Sequence, residues 1–187
     1  MFRDETTGKQ LNEPEIIRKA QHGDKDAFCH LVLAYRVAVI NIVYRMCANV
    51  QVSEDAAQIA FLRVWQHLAE YRHQTSFRAW LFRIAINAAL DILRREKPVI
   101  ALDQIEVSTG NSVDDDVVIK QQQEMIEKAM MKLPEASRIV LVLREFQQLS
   151  YQEIADALEI PIGTVMSRLN YARKNLLHAL QPLQEEI

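Results

Sequence analysis

The sequence predicts an all-α protein, built as two small helical domains joined by a flexible acidic linker. Three observations carry that expectation. Only four glycines occur in 187 residues, and no window alternates apolar and polar side chains as a half-buried strand does. Apolar residues, 49% of the chain, recur instead at steps of three and four, enough to build a packed helical core. That periodicity stops at Pro98 and resumes after Asp114-Asp-Asp116. The stretch between, 98–116, contains Ser108-Thr-Gly-Asn-Ser112 and has the composition of a linker. The boundaries that follow are 12–97 for a first domain and 117–182 for a second.

In chain order, residues 1–11 are polar and expected to fray. Asn12-Glu-Pro-Glu15 reads as a helix start, with Asn12 as N-cap and Pro14 tolerated in the first turn; Gly23 ends that helix. A second helix begins near Asp24 and buries Phe28, Leu31, Val32, Tyr35, Val39, Ile42, Val43 and Met46. Ser53 is expected to cap a third, with Ala57, Ala60, Phe61, Val64, Trp65 and Leu68 inward and Asp55, Gln58, Arg63 and Gln66 outward. Tyr71 to Thr75 breaks the pattern before Ser76 caps a fourth helix. Four helices with short connections make a bundle.

The fourth helix has two stripes. Leu81, Ile84, Ala85, Ala88 and Ile92 form an apolar one. Trp80, Arg83, Asn87, Asp91 and Arg94 form the other, at steps of three and four. An aromatic ring with guanidinium and carboxamide groups is the chemistry that holds unstacked bases and phosphates. The same stripe also reads as a solvated face with a local Asp91–Arg95 pair, and its residues alone leave both readings open.

Beyond the linker, Val117 to Lys132 is helical. Pro134 suits the first turn of a helix from Glu135 to Phe146. Ser150 and Glu153 form a capping box, Ile154, Ala155 and Leu158 face inward, and Glu159 to Ile162 turns. The next helix buries Val165, Leu169, Ala172 and Leu176. This is a helix-turn-helix pattern. Its second helix presents Thr164, Ser167, Arg168, Tyr171 and Lys174 to a major groove; Arg168 suits guanine, Ser167 a base or phosphate, and Lys174 phosphate. The competing reading pairs Arg168 and Arg173 with nearby carboxylates.

Net charge is −3, a weak argument against a free-standing nucleic-acid binder. The distribution is more informative: residues 72–95 carry five arginines against the single carboxylate Asp91, and 163–174 carry three basic residues and no acidic ones. Cys29 and Cys47 lack metal-ligand spacing and are expected to be buried free thiols, with no metal and no cofactor implied. The N-terminus has no signal pattern, and no uninterrupted apolar run approaches about 18 residues. A cytoplasmic protein without membrane insertion is expected. No Gly-rich phosphate loop or nucleophile–base set appears, so catalytic residues are not assigned and an enzyme is not expected.

Together these residues resemble the sigma-70 family of bacterial RNA polymerase sigma factors, in its short extracytoplasmic-function group. The resemblance covers residues 13–180. It rests on Glu54-Asp55, Gln58, Phe61-Leu-Arg-Val-Trp65 and Phe77-Arg-Ala-Trp80-Leu-Phe-Arg-Ile-Ala-Ile-Asn87, followed by Asp91 and Arg94-Arg95. In the second half it rests on Leu133-Pro134, Leu149-Ser-Tyr-Gln-Glu-Ile-Ala155, Pro161-Ile-Gly-Thr-Val165, Ser167-Arg-Leu169 and Ala172-Arg173.

The resemblance implies contact with the clamp helices of core polymerase through Asp55, Gln58 and Arg63. It implies binding of the promoter −10 element by Trp80, Arg83, Asn87, Asp91, Arg94 and Arg95, with one base flipped out. It also implies −35 reading by Thr164, Ser167, Arg168, Tyr171 and Lys174, a linker threading towards the polymerase active centre, and an anti-sigma factor as partner. Ile59, Met166 and Tyr171 depart from the family pattern, which usually has an acidic residue at the first position and basic residues at the other two. The alternative is an autonomous helix-turn-helix transcriptional regulator; a helical adaptor binding only protein is the third reading.

Overall fold

The computed structural model describes residues 2–3, 10–72, 75–96 and 116–184. Its eight helices among those residues are α1 (Glu13–Gln21), α2 (Lys25–Cys47), α3 (Val50–His67), α4 (Phe77–Glu96), α5 (Asp116–Met131), α6 (Glu135–Glu145), α7 (Tyr151–Leu158) and α8 (Ile162–Gln184). The linker reading of 98–116 lies outside the described residues except for Asp116, which opens α5. Ahead of α1, β1 (Phe2–Arg3) pairs antiparallel with β2 (Gln10–Leu11). This pairing departs from the frayed end expected there. A bridge of two residues per strand is too short to leave a side-chain alternation in the sequence.

Local capping explains most helix starts. Asn12 Oδ1 accepts the Glu15 N–H at 3.1 Å, and Asp24 Oδ1 accepts those of Asp26 and Ala27 at 3.0 Å. Before α7 the reciprocal box is complete: the Glu153 N–H donates to Ser150 Oγ at 3.2 Å, and the Ser150 N–H to Glu153 Oε2 at 2.9 Å. The α3 start differs from the expectation. Asn49, not Ser53, is its cap, accepting the Val52 N–H at 3.0 Å. Ser53 lies inside the helix, fully buried, and donates to the Asn49 carbonyl at 2.6 Å. Pro134 also stands one place earlier than expected, as the residue before α6 rather than in its first turn.

Helices α1 to α4 form the expected bundle, with a 3-10 turn at Leu68–Glu70 between α3 and α4. Ile16, Leu31, Ile42, Met46, Val64 and Leu81 are almost completely excluded from solvent. Side chains of this kind contribute about 1.5–3 kcal/mol each on burial. Helix α2 is long and apolar enough to cross a membrane, with a mean hydropathy of 1.7. Leu31, Val39, Ile42, Val43 and Met46 of this helix serve the core, whereas Leu33 and Val37 are exposed. Cys29 is exposed and Cys47 half-buried, against the expectation of two buried thiols. Cys29 falls on the outer face of α2, beside exposed Leu33.

Helices α5 to α8 complete the molecule, and α7 and α8 form the helix-turn-helix. The turn is Glu159 to Pro161, one residue shorter than expected. Arg138 ties α5 to α6: its guanidinium donates to the carbonyl of Met131 at 2.9 Å and, more weakly, to those of Met130 and Leu133 at 3.4 Å. Burial lowers its affinity for the proton from the ordinary arginine value.

The two helical groups are not held apart. Helix α4 packs on α7, and α2 packs on α5 and α6, so one continuous core runs from Ile16 to Ala172. This changes the face that α4 buries. Leu81, Ala85 and Ala88 are buried as expected; Phe82, Ile86 and Ala89 are buried as well, whereas Ile84 and Ile92 are only half-buried. An apolar stripe sized for one bundle serves two neighbours.

Candidate nucleic-acid interface

The second stripe of α4 divides into three environments. At its N-terminal end, Trp80 is half-buried in an aromatic group, its ring centroid 4.9 Å from Tyr71 and 5.9 Å from Phe77. Tyr35 extends this group, 5.6 Å from Phe77, and its hydroxyl donates to the Glu13 carboxylate. Burial and that carboxylate push the Tyr35 hydroxyl well above the usual tyrosine range. Trp80 therefore holds the α3–α4 connection in place while keeping part of its ring accessible.

In the middle, Asn87 is exposed and Arg83 half-exposed. Arg83 Nη1 lies 2.5 Å from Glu159 Oε1, at the turn of the helix-turn-helix. At the C-terminal end, Asp91 is held by Arg63 of α3, whose two terminal nitrogens lie 3.4 and 3.3 Å from its Oδ2, and by Arg94 at 3.8 Å from its Oδ1. No Asp91–Arg95 pair is present among these contacts. Arg94 and Arg95 are exposed.

Of the residues expected on the outer side of α3, Gln58 is exposed, and Asp55 is half-buried with Gln51 donating to it at 3.0 Å. Arg63 is turned towards α4. Leu62, 58% exposed, joins Gln58 on the outer face and was not singled out from the sequence. Exposure of a single leucine leaves no periodic signal. Ile59, which departs from the family pattern, is half-buried and packs against the core.

On α8, Ser167, Tyr171 and Lys174 are exposed, whereas Thr164 and Arg168 are partly covered. Ser167 Oγ donates to the Thr164 carbonyl at 3.0 Å. Met166 is also exposed, on the same side of the helix as Ser167 and Asn170. Arg173 is committed to Glu145 on α6, with Nε 3.0 Å and Nη2 2.6 Å from Oε1. That hydrogen bond raises the arginine's proton affinity. The pairing reading was thus right for Arg173. Arg168 instead lines a cleft of about 210 Å³ together with Arg83, Asn87, Glu135 and Glu159.

Sequence comparison assigns a family to this geometry. The description "Sigma-70 region 2" matches residues 31–99, and "Sigma-70, region 4" matches 123–176. The chain is 35% identical to the ECF RNA polymerase sigma factor SigW of Bacillus subtilis, over 89% of this chain and 96% of that protein. It belongs to the sigma-70 family, in the extracytoplasmic-function group.

The RNA polymerase sigma-H factor of Pseudomonas aeruginosa is 33% identical to this sigma factor, over 95% of this chain and 98% of that one. Among solved structures, CnrH in complex with the cytosolic domain of CnrY has a TM-score of 0.70 at 24% identity, covering 89% of this chain and 96% of that one. The sigma factor RpoE of Bartonella quintana, in complex with the anti-sigma factor NepR, has a TM-score of 0.69 at 21% identity, covering 82% and 96%. Both structural likenesses concern the fold. The helical fold of this sigma factor is therefore shared with both of those proteins.

Proposed function

We propose that this sigma factor directs core RNA polymerase to its promoters with a division of labour along the chain. Residues 12–97 bind the polymerase clamp and the −10 element, 98–116 connect, and 117–182 read the −35 element. The outer face of α3, with Asp55, Gln58 and the neighbouring Leu62, docks on the clamp. Arg63 supports that face through α4 rather than at its centre. Asn87, Arg94 and Arg95 meet the non-template strand, with the accessible part of Trp80 as a stacking platform. Arg83 joins them when it is free of Glu159. Asp91 positions Arg63 and Arg94 and makes no DNA contact. Ser167, Tyr171, Lys174, Thr164 and Arg168 meet the −35 duplex.

The observation that carries this reading is the presence in one chain of two separate DNA-suited helix faces on a sigma-70 fold. Two modest faces gain effective concentration when both are mounted on one large complex, which suits a chain of net charge −3. Strand melting costs a few kcal/mol for the unstacked base, offset in part by its capture. The chain acts in the cytoplasm as an initiation factor without catalysis of its own, and an anti-sigma factor covers these surfaces when transcription is not required.

The test is promoter-dependent transcription by purified core polymerase with and without this protein. Transcripts only when both are present support the reading. Specific duplex binding without polymerase, and no transcription, would instead favour an autonomous helix-turn-helix regulator.

A further inference from the structure

Helix α1 buries Ile16, Ile17 and Ala20, and Gln21 continues the same stripe one turn beyond Ile17. An apolar side chain would serve packing alone at that half-buried end. The carboxamide serves two backbone carbonyls: Gln21 Nε2 donates to that of Leu68 at 3.1 Å and to that of Tyr71 at 2.9 Å. These carbonyls bracket the 3-10 turn between α3 and α4, 47 and 50 positions further along the chain. One side chain of α1 thus spends both of its amide hydrogens on fixing where the chain leaves that turn.

Tyr71 passes the constraint on. Its ring is buried, 4.9 Å from that of Trp80 and edge-on to Phe77 at 5.8 Å, and its hydroxyl donates to the Thr75 carbonyl at 2.6 Å. The opposite end of α1 holds the same aromatic group: Glu13 accepts from the Tyr35 hydroxyl, and the Tyr35 ring lies 5.6 Å from Phe77. Helix α1 braces this group at both ends, although it carries none of the side chains assigned to DNA.

We propose that Gln21 is a positioning residue for base capture: it holds Tyr71, and Tyr71 holds the Trp80 ring where an unstacked base meets it. This deepens the promoter-binding reading above and rests on it. A stacking platform acts through its placement, and a ring that must be ordered on binding gives up part of the stacking free energy. Truncation of Gln21 takes a donor from the Leu68 and Tyr71 carbonyls and releases the Tyr71 backbone from α1. Trp80 then keeps its chemistry but loses its fixed seat.

The experiment uses holoenzyme assembled from core polymerase and the full chain. The probe is a fluorescein-labelled single strand of about 12 nucleotides, enriched from a random pool by wild-type holoenzyme against core polymerase alone. Binding is followed by fluorescence anisotropy. Trp80→Ala weakens it about ten-fold, the loss of one base stack. Gln21→Ala and Gln21→Glu, the second nearly the same shape without the N–H donors, each weaken it about five-fold, while affinity for core polymerase is unchanged. Neither adds to the loss when Trp80 is already alanine, because the two residues act through one ring. Asn12→Ala removes the cap of the same helix and leaves strand binding unchanged.

Unchanged strand binding in both Gln21 variants, losses that add to that of Trp80→Ala, an equal loss of core affinity, or an equal loss from Asn12→Ala each overturn the positioning role. In the last two cases Gln21 serves the bundle as a whole. A loss in Trp80→Ala beside unaffected Gln21 variants leaves the promoter-binding reading standing. No loss in Trp80→Ala removes the platform itself, and the positioning role with it.

Discussion

Arg63 of α3 grips Asp91 of α4, both terminal guanidinium nitrogens lying within 3.4 Å of one carboxylate oxygen. The pair joins the proposed polymerase-docking helix to the proposed −10 helix, and each side chain is about 40% exposed. It explains how a carboxylate can stand in an otherwise cationic stripe: its charge is neutralised from the neighbouring helix and by Arg94. Solvent screening limits the worth of such a pair to about 1 kcal/mol or less. Asp91→Asn is expected to lower unfolding free energy by no more than that in urea titration, and to leave promoter opening intact. A loss of opening of ten-fold or more, with stability unchanged, would place Asp91 at the DNA instead.

Asn87 and Trp80 share a stripe but not an environment, and their variants should separate accordingly. Asn87 is exposed, so Asn87→Ala is expected to leave thermal stability within about 0.5 kcal/mol of wild type. It should reduce open-complex formation, measured by permanganate reactivity of the melted strand, while core binding persists. Trp80→Ala removes a ring packed on Tyr71 and Phe77 and should cost about 2 kcal/mol as well as impairing opening. Unchanged opening in both variants would return this stripe to an ordinary solvated face.

The contrast between these residues shows what could be read before the structure. Asn12, Asp24 and the Ser150–Glu153 box act over three residues, so sequence spacing contains all of their geometry. Asn49 and Ser53 are chemically equivalent cap candidates one helical turn apart. The choice between them falls to the nearly complete burial of Val52 and to the hydrogen bond that Ser53 returns to Asn49, neither of which spacing encodes. The helix-turn-helix was legible for the same local reason. Arg83 and Glu159 are 76 positions apart, and nothing in either neighbourhood announces the other. Arg63 and Asp91 likewise appeared as members of two different sites, because their pairing depends on how α3 and α4 cross.

Acid should loosen the Ser150–Glu153 cap and the Ser76 contact together. Burial alone would raise the Glu153 carboxyl, but hydrogen bonds from the Ser150 backbone and hydroxyl and from Ser76 outweigh it and hold the group below its ordinary 4.5. The unfolded chain then binds the proton more readily than the folded one. This stabilisation is complete above about pH 4.5 and is lost as pH falls through the lower folded value. Thermal melts stepped from about pH 6 to pH 3 should show a decline that is shallower in Glu153→Gln, which has no proton to take up. Identical slopes in the two proteins would remove Glu153 from the acid response.

Ala48 ends α2 at φ 53 and donates its N–H to the Tyr44 carbonyl at 2.7 Å. The left-handed conformation costs an L-residue about 1–2 kcal/mol, while glycine adopts it freely but loses about 0.5–1 kcal/mol more backbone entropy on folding. The balance favours Ala48→Gly by about 0.5–1 kcal/mol, measurable as a higher urea midpoint at unchanged slope. Ala48→Val should move the midpoint the other way, because a β-branched side chain is still less tolerant of positive φ. Ala48 also lines the cleft between α2 and α5 with Met130 and Met131. A destabilised glycine variant would therefore mean that the methyl group's packing there outweighs backbone strain.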